Sequence, residues 1–244
     1  MKIGIIGGSG LDNPDILKQP NIKDVVNKYG EPSSALTTGK IGEVDIILLS
    51  RHGKDHGIPP SKVNYRANIR ALSDEGCNVI LATTAVGSLR DEIKPGDLVF
   101  PDQFIDFTKN RHNTFFEEEV RHTAMPDPFD AGLRKVLSAS CKKLGYSYTD
   151  KATIITIEGP RFSTRAESHM FRGFGADIIN MSTCPEVILA NELGIKYQSI
   201  AMSTDYDCWK ETEEPVSFEM ILKIMEQNAA KVINLLLEAL PAIH

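Results

Sequence analysis

The sequence predicts an α/β fold in a single domain, residues 1–244. Short apolar and β-branched runs, typical of strands, alternate along the whole chain with amphipathic stretches, typical of helices. The 244 residues suit one large domain or two small ones, and a hydrophobic content of 41% is enough to bury a sizeable core. Because no repeat, linker or low-complexity tract divides the sequence, we expect one domain.

Composition narrows the class of protein further. The net charge of −6 is unfavourable for a nucleic-acid surface, although it is compatible with a local basic pocket. No apolar run approaches membrane-spanning length, and the run from Lys2 to Ile6 is too short for a signal peptide. The four cysteines lie far apart, without metal-binding or disulfide spacing, which favours a cytoplasmic protein. None of the six histidines forms a His-Glu-x-x-His pair, so we expect no metal site.

The first predicted strand, Lys2 to Ile6, runs directly into Gly7-Gly8-Ser9-Gly10. Backbone N–H groups in such a loop can bind an anion, with the Ser9 hydroxyl as a further donor, but a tight structural turn explains the glycines equally well. The sequence lacks the third glycine of a dinucleotide-binding loop and contains no P-loop. A nicotinamide or ATP module is therefore disfavoured.

A cationic cluster follows the next pair of predicted strands, Ala35–Ile41 and Val44–Leu49. The segment from Ser50 to Gly57 contains Arg51 and His52, and an arginine can donate to two phosphate oxygens at once. A solvated charged loop and an anion site both fit this segment.

Small residues and hydroxyls follow a third strand. A predicted helix from Ser61 to Gly76 leads to the strand Val79–Ala82, which opens into a loop, Thr83 to Ser88, containing Thr84 and Ala85. If the three strands lie side by side in one sheet, their three loops meet at one edge. Further strands are predicted at residues 97–101 and 103–107.

The middle of the chain contains a long polar segment and a second loop of interest. Residues 108–125 are charged and irregular, which indicates a functional or intersubunit segment, and His122 within it faces either a partner or water. Asp127 is predicted to cap a helix that ends near Gly145. A strand at residues 153–157 precedes a Gly-Pro loop whose Phe162 either stacks on a planar base or packs into the core.

Thr164 and Glu167 form a capping box for the helix that follows this loop. The next strand, Asp177 to Asn180, leads to Met181, which fits either a sugar contact or ordinary packing. Ser182 follows, and Glu186 lies in the first turn of a helix that ends near Gly194. An amphipathic helix is predicted from about residue 218 to residue 240.

Two carboxylates, Asp205 and Asp207, follow the apolar strand that begins at Tyr197. In an extended segment, residues i and i+2 point to the same side, so both acids would face one ligand. Two carboxyl groups so near each other resist being ionised at the same time, because their charges repel. One of the two acids therefore tends to keep its proton. A protonated and an ionised carboxyl together match the donor and acceptor groups at the edge of an adenine. A solvated Asp-Tyr-Asp turn is the alternative.

Several of these motifs together resemble the trimeric purine nucleoside phosphorylases. They occur in that family's order and extend over nearly the whole chain. Within the family, Thr204–Trp209 is most similar to members that act on 5′-methylthioadenosine. The other matching motifs are Ile3–Gly10, Arg51–Gly53, Asn64–Asn68, Thr84–Ser88, Glu158–Phe162 and Ile179–Met181.

The resemblance implies a central mixed β-sheet that forms a distorted barrel flanked by helices. It also implies a homotrimer or a dimer of trimers, with sites near the subunit boundaries. The implied reaction is cleavage of 5′-methylthioadenosine by inorganic phosphate, which gives adenine and 5-methylthioribose 1-phosphate. Phosphate is then a co-substrate, and no organic cofactor and no metal are expected.

The resemblance also assigns roles to residues. Asp205 is the catalytic acid at nitrogen 7 of the base, and Asp207 accepts from the amino group. Met181 lies under the ribose and Phe162 contacts the base. The implied phosphate ligands are Ser9, Arg51, His52, Thr84, Ala85 and Ser182. The implied pocket for the methylthio group consists of Phe218, Ile221, Leu222 and His122 of a neighbouring subunit.

Other functions stay open at this point. Inosine or guanosine carries a carbonyl that an ionised Asp207 would repel, so the paired acids favour a 6-aminopurine. Adenosine differs from 5′-methylthioadenosine only at the 5′ group, and an apolar pocket rejects a hydroxyl only modestly. A non-catalytic nucleotide-binding module and a hydrolase that uses water are the remaining alternatives.

Overall fold

The computed structural model describes residues 1–7, 16–212 and 218–243, without the side chains of residues 54, 218–223, 226 and 227. Within these ranges the chain forms one mixed sheet flanked by helices. The strands are β1 (Lys2–Gly7), β2 (Lys18–Lys23), β3 (Leu36–Ile41), β4 (Val44–Ser50), β5 (Val79–Ser88), β6 (Leu98–Val99), β7 (Gln103–Phe107), β8 (Tyr148–Thr149), β9 (Thr153–Ile157), β10 (Ile178–Asn180) and β11 (Lys196–Asp205). The helices are α1 (Tyr65–Asp74), α2 (Ala131–Leu144), α3 (Arg165–Gly173), α4 (Thr183–Glu192) and α5 (Phe218–Ala239).

The strands follow the order β2-β3-β4-β1-β5-β10-β9-β7, and the sheet branches at β5. β11 also pairs with β5 and leads on to β6 and β8. Four neighbouring strands, β4, β1, β5 and β11, run parallel, so their carboxyl ends share one edge of the sheet. β10 runs antiparallel to the last residues of β5 and brings its own carboxyl end back toward that edge.

Helices cover both faces of the sheet, which explains why its central strands are apolar throughout. Successive residues alternate between two buried clusters, because side chains along a strand point to opposite faces. Ile6 and Ile80 pack on the face covered by α1 and α4, whereas Ile5 and Leu81 pack on the face covered by α2 and α5. The mixed sheet with flanking helices confirms the predicted fold class. None of the helices in the described ranges combines the length and apolar character needed to cross a bilayer.

The helix starts test two sequence predictions. The capping box at α3 is confirmed, because the Thr164 hydroxyl accepts from the Glu167 N–H and the Glu167 carboxylate accepts from the Thr164 N–H. The predicted cap of α2 at Asp127 is wrong. Asp130 caps this helix by accepting from the N–H of Leu133, since that residue lies directly before the first helical turn.

The largest difference from the predicted elements is the length of β5. Residues 83–88 were expected to form a loop, but they continue the strand to Ser88. The cause is β11, which pairs with β5 from Val79 to Gly87 and gives this polar stretch backbone partners. Two further strands, β2 and β8, were not predicted; β2 is polar and exposed along its whole length, so it lacks the alternating pattern of a half-buried strand.

Candidate active site

A cavity of about 350 Å³ lies at the shared carboxyl edge of the parallel strands. Its walls come from the segment after β4, the last residues of β5, the loop after β9, the segment after β10 and the end of β11. These are five of the regions that the sequence singled out. The cavity therefore collects residues that lie as far apart in the chain as Arg51 and Asp207.

One end of the cavity contains a buried arginine, Arg51, directly after β4. Its Nε and Nη2 donate to the two carboxylate oxygens of Glu186 at 2.5 and 2.9 Å, and its Nη1 donates to the carbonyl of Thr83 at 2.8 Å. Glu186 is fully buried and also accepts from the hydroxyl of Tyr197 at 2.9 Å. Burial is the largest single influence and lowers the pKa of the guanidinium, but the charge of Glu186 and the hydrogen bonds to it together outweigh burial and raise the pKa of Arg51.

This ion pair has two consequences for the site. Arg51 stays charged, and its orientation is fixed by three hydrogen bonds rather than by a ligand. Its charge is already balanced by Glu186, which the sequence indicated only as a residue in the first turn of α4. Arg51 still lines the cavity, so its remaining N–H groups are the ones available to an anion.

His52 lines the same end of the cavity. Its Nδ1 lies 2.8 Å from the carbonyl of Ile58, which requires a proton on Nδ1 and leaves Nε2 without one in the neutral ring. Burial and the charge of Arg51 lower the pKa of His52 to about 3. The ring is therefore neutral at physiological pH, and His52 contributes a polar ring rather than a second positive charge.

A cluster of hydroxyl groups completes this end. The Nδ2 of buried Asn180 donates to the hydroxyls of Thr84 and Thr183 at 3.1 and 2.8 Å, and the Thr84 and Ser182 hydroxyls lie 3.0 Å apart. Asn180 accepts in turn from the hydroxyl of Thr156 at 2.9 Å. Thr84 and Ser182 line the cavity together with Ala85. We call this end, with Arg51, His52, Thr84, Ala85 and Ser182, the anion end.

The opposite end is built on an irregularity where β11 leaves β5. Ser203 pairs with Val86 and Asp205 with Gly87, so Thr204 is an extra residue, a β-bulge. Such bulges redirect side chains at the ends of strands. Here the bulge places the Asp205 carboxylate against Gly87, where a Cβ atom would lie 3.0 Å from Asp205 Oδ1. A side chain at position 87 would therefore crowd the carboxylate in this place.

Asp207 reaches the same end through a turn and not through an extended strand. Its φ is +50°, in the left-handed region, and its N–H donates to Asp205 Oδ1 at 2.7 Å. The expected extended geometry of residues 205–207 is therefore wrong, although both carboxylates do line one cavity. The left-handed turn is favourable because the Asp205 side chain accepts from the backbone two residues on. We call Thr204, Asp205 and Asp207 the base end.

Hydroxyl groups complete the shell around both carboxylates. Asp205 Oδ2 accepts from the Thr204 hydroxyl at 2.7 Å, and both oxygens of Asp207 lie 2.8 Å from the hydroxyl of Ser163. Burial raises the pKa of Asp205 to about 6, and the charge of Asp207 acts in the same direction. Burial also raises the pKa of Asp207. Removal from water has a larger effect on the pKa of Asp205 than repulsion between the two acids.

Met181 and Phe162 form apolar walls between the two ends. Phe162 is 42% exposed, so the alternative in which it packs into the core is wrong. Met181 lies against Gly159, where a Cβ atom would come within 2.5 Å of the Met181 sulfur. The wall at Met181 thus depends on a glycine in the neighbouring loop, which has a φ of +67°.

One residue that the sequence did not single out holds this wall in place. Arg111 is almost fully buried, and its Nη1 donates to the carbonyls of Met181 and Cys184 at 2.8 and 2.7 Å. Its Nη2 donates to the carbonyl of Glu158 at 2.7 Å, and its Nε pairs with the Glu158 carboxylate at 3.2 Å. Arg111 belongs to the long polar segment 108–125, where one arginine among many charges gave no local signal.

The remaining predicted residues are His122, which is described, and four residues that lie wholly or by their side chains outside the described part of the chain. His122 is exposed and does not line the cavity of its own chain. Ser9 lies outside the described residues, as do the side chains of Phe218, Ile221 and Leu222. Met225 of α5 lines the cavity, so this helix does reach the site. Within the described residues, no group of three His, Cys, Asp or Glu side chains has the arrangement of a metal site.

Comparisons with known proteins agree with this geometry. A family model described as the phosphorylase superfamily matches residues 2–241. S-methyl-5'-thioadenosine phosphorylase of Xenopus tropicalis is 57% identical, over 100% of this chain and 89% of the relative, and that of Danio rerio is 55% identical over the same shares. A solved structure of methylthioadenosine phosphorylase from Schistosoma mansoni with adenine has a TM-score of 0.95 and 42% identity, covering 99% of this chain and 91% of that chain. A mutant adenosine/methylthioadenosine phosphorylase from the same organism, solved with methylthioadenosine, has a TM-score of 0.94 and 40% identity over the same shares.

Proposed function

Because the chain belongs to the phosphorylase superfamily, and within it to the S-methyl-5'-thioadenosine phosphorylases, we propose that it cleaves 5′-methylthioadenosine with inorganic phosphate. The products are adenine and 5-methylthioribose 1-phosphate. The observation that carries the proposal is a single cavity with paired carboxylates at one end and hydroxyls with a guanidinium at the other. A nucleoside with a phosphate beneath its sugar presents the complementary groups.

Phosphate binds at the anion end. Breaking the glycosidic bond develops positive charge on the sugar, and an anion held beneath the anomeric carbon stabilises that charge and then forms the new C–O bond. The remaining N–H groups of Arg51 and the hydroxyls of Thr84 and Ser182 are the donors for the phosphate oxygens. Ser9 and Ala85 complete the proposed donors to phosphate. His52 is the remaining proposed ligand, and its unprotonated Nε2 accepts from the P–OH group of the phosphate.

The adenine leaves at the base end. As the C–N bond breaks, its electron pair moves onto the base, and the proton of Asp205 passes to nitrogen 7, so that adenine departs neutral and Asp205 becomes a carboxylate. A pKa of about 6 leaves Asp205 partly protonated near neutral pH, which suits a general acid. Asp207 accepts from the 6-amino group, and Ser163 holds it there.

The sugar and its 5′ group occupy the space between these ends. Met181 packs under the ribose and Phe162 against the base. Phe218, Ile221 and Leu222 surround the methylthio group, together with His122 from a neighbouring subunit. This role for His122 requires a homotrimer or a dimer of trimers, and its exposure in the single chain is compatible with a contact between subunits.

The proposed reaction needs no cofactor. It exchanges one bond for another at a single carbon without a change in oxidation state, and phosphate itself is the nucleophile. Activity should therefore survive exhaustive treatment with a chelator. We also propose a cytoplasmic location, which the four free cysteines support.

The test is the release of adenine from 5′-methylthioadenosine with and without phosphate. We expect adenine and 5-methylthioribose 1-phosphate in equal amounts, and no adenine when phosphate is omitted. Adenine released without phosphate would identify a hydrolase, and binding without cleavage would identify a nucleotide-binding module. Faster cleavage of inosine than of 5′-methylthioadenosine would overturn the assignment of Asp205 and Asp207 to a 6-aminopurine.

Adenosine is a second candidate substrate. The name of the solved Schistosoma mansoni protein includes both adenosine and methylthioadenosine, and that chain is 40% identical to this one. The base end cannot distinguish the two nucleosides, because they carry the same purine. The ratio of kcat/KM for the two substrates measures the contribution of the 5′ pocket, and we expect it to favour the methylthio group.

A further inference from the structure

The hydroxyl of Thr204 has two acceptors but only one proton. Its oxygen lies 2.7 Å from Asp205 Oδ2 and 3.2 Å from the carbonyl oxygen of Val86. Thr204 is 2% exposed, so little of the residue contacts solvent. The bulge between β11 and β5 creates this arrangement, because it places the extra residue between the catalytic carboxyl and the backbone of the neighbouring strand.

The two acceptors suit two different states of Asp205. When Asp205 is ionised, donation to its carboxylate is the stronger bond, because hydrogen bonds to charged groups exceed neutral ones by roughly a factor of two. When Asp205 carries its proton, the hydroxyl loses little by donating to Val86 instead. The buried hydroxyl is therefore satisfied in both states, at the cost of one rotation about its Cβ–Oγ1 bond, which leaves the oxygen in place.

We propose that Thr204 is a positioning residue whose hydroxyl turns from the Val86 carbonyl to Asp205 as Asp205 gives its proton to the leaving base. This inference rests on the proposed function. The hydrogen bond strengthens as negative charge develops on the carboxylate, so it favours the transition state over the bound substrate. Thr204 does not touch the reacting atoms in this scheme; it acts through Asp205.

Other charged or titratable groups line the same cavity or act on Asp207, and their effects must be separated from the effect of Thr204. Among the described residues that line the cavity, Asp207 comes from the same turn, and Arg51, His52 and His56 come from the segment after β4. Glu167 of α3 acts on Asp207. The neighbouring residues of β5, from Val79 to Ser88, contain no titratable side chain. A substitution confined to the Thr204 hydroxyl leaves all of these charges in place.

The test compares Thr204→Val, which removes the hydroxyl and keeps the branched shape, with Thr204→Ser, which keeps the hydroxyl. At saturating phosphate and nucleoside, and at a pH below the alkaline decline of kcat, we expect Thr204→Val to lower kcat about ten- to hundredfold, the range for one hydrogen bond to a charged group. Without this donor the pKa of Asp205 rises, so the decline of kcat at alkaline pH should move upward by about one pH unit. Thr204→Ser should restore both the rate and the position of the decline.

A double-mutant cycle with Asp205→Asn gives an independent readout. Asn cannot transfer a proton, so Thr204→Val should change kcat less than twofold in that background. Equal losses in the two backgrounds, or a lower rate without movement of the alkaline decline, would show a purely structural role and overturn the proposal. Wild-type protein assayed in parallel tests the proposed function separately, because its phosphate-dependent release of adenine does not depend on Thr204→Val.

Discussion

The two ends of the cavity differ in whether their buried ionisable groups are balanced by an opposite charge. At the anion end, the guanidinium of Arg51 is paired with the fully buried carboxylate of Glu186, and His52 is neutral. At the base end, the carboxyls of Asp205 and Asp207 accept from hydroxyl and backbone N–H groups, and burial raises the pKa of both. One end has a fixed protonation state near neutral pH, while the other can gain or lose a proton.

This difference separates binding from proton transfer. A paired guanidinium with fixed geometry offers directed N–H groups without changing its charge, which suits holding a nucleophile. A carboxyl removed from water but left without a balancing charge has a pKa near the working pH, which suits a general acid. We therefore expect changes at the base end to act mainly on kcat, and changes at the anion end to act on phosphate affinity and on stability.

The largest expected effect is at the base end. Asp205→Asn should lower kcat by about a hundredfold to ten-thousandfold, because the general acid is lost while the shape is kept. The KM for nucleoside should change less than about threefold, since Asn can still contact the base. Steady-state kinetics with 5′-methylthioadenosine checks this. A comparable loss in kcat and in binding would mean that Asp205 only positions the base.

The second effect tests the anion end. Arg51→Ala should destabilise the fold by roughly 3–5 kcal/mol, because it leaves Glu186 buried without its partner. It should also raise the KM for phosphate by more than about tenfold, the effect of one lost charged donor. Urea unfolding and phosphate titration measure the two quantities.

A double variant separates these two roles of Arg51. Arg51→Met combined with Glu186→Leu removes both buried charges, so stability should largely return while the KM for phosphate stays high. An unchanged phosphate KM in either variant would place the anion site elsewhere.

The third effect tests the glycine at the junction of the two ends. Gly87→Ala should lower stability by about 1–3 kcal/mol and lower kcat, because its Cβ would lie 3.0 Å from Asp205 Oδ1 and 3.1 Å from a methyl group of Ile179. Gly173→Ala is the matched control, because nothing lies within 4 Å of a Cβ there and the residue is helical. Thermal unfolding of both variants, with full activity in the control, checks the prediction. Equal behaviour of the two would refute the close contact.

The smallest expected effect is the pH dependence of stability. The pKa of Asp205 is raised from 3.8 to about 6 on folding, so between these pH values the native state holds more protons than the unfolded chain. Stability contributed by the protonated form is therefore present below pH 4 and is lost as the pH rises through 6. Asp205→Asn lacks this dependence, so its stability relative to wild type should improve by on the order of 2 kcal/mol between pH 4 and pH 8.

Chemical denaturation at both pH values measures this difference. Asp45→Asn is the control, since Asp45 lies on the exposed side of β4. This substitution removes one surface charge and leaves the buried carboxyl groups unchanged. The same pH trend in both variants would show that the effect does not come from burial of Asp205.

Much of the fold followed from local patterns. The strands β1, β4 and β5 were predicted from apolar runs, and they do lie side by side and parallel, so their carboxyl ends share one edge of the sheet. The capping box at Thr164 is likewise a local pattern. Long-range pairing explains the failures, because residues 83–88 became strand only when β11 aligned with them.

The site was predictable in its residues and not in its geometry. Arg51 was predicted as a site residue because it follows a strand directly. Its partner Glu186 lies 135 positions away, and its local sequence indicates only the start of a helix. Arg111 gave no signal, since its role is to donate to carbonyl groups that any sequence would offer. The left-handed turn at Asp207 depends on the bulge at Thr204, and a bulge is a property of two paired strands rather than of one.

The strand β5 also sets the distance between the two ends of the cavity. Thr84 contributes to one end of the cavity and Gly87 supports the other, and three residues of extended chain span about 10 Å. The separation of the two ends is therefore set by covalent geometry and does not depend on how side chains pack. Inserting a single residue between positions 84 and 87 would lengthen that span and reverse which side chains face inward, so both ends of the site depend on the exact length of this stretch.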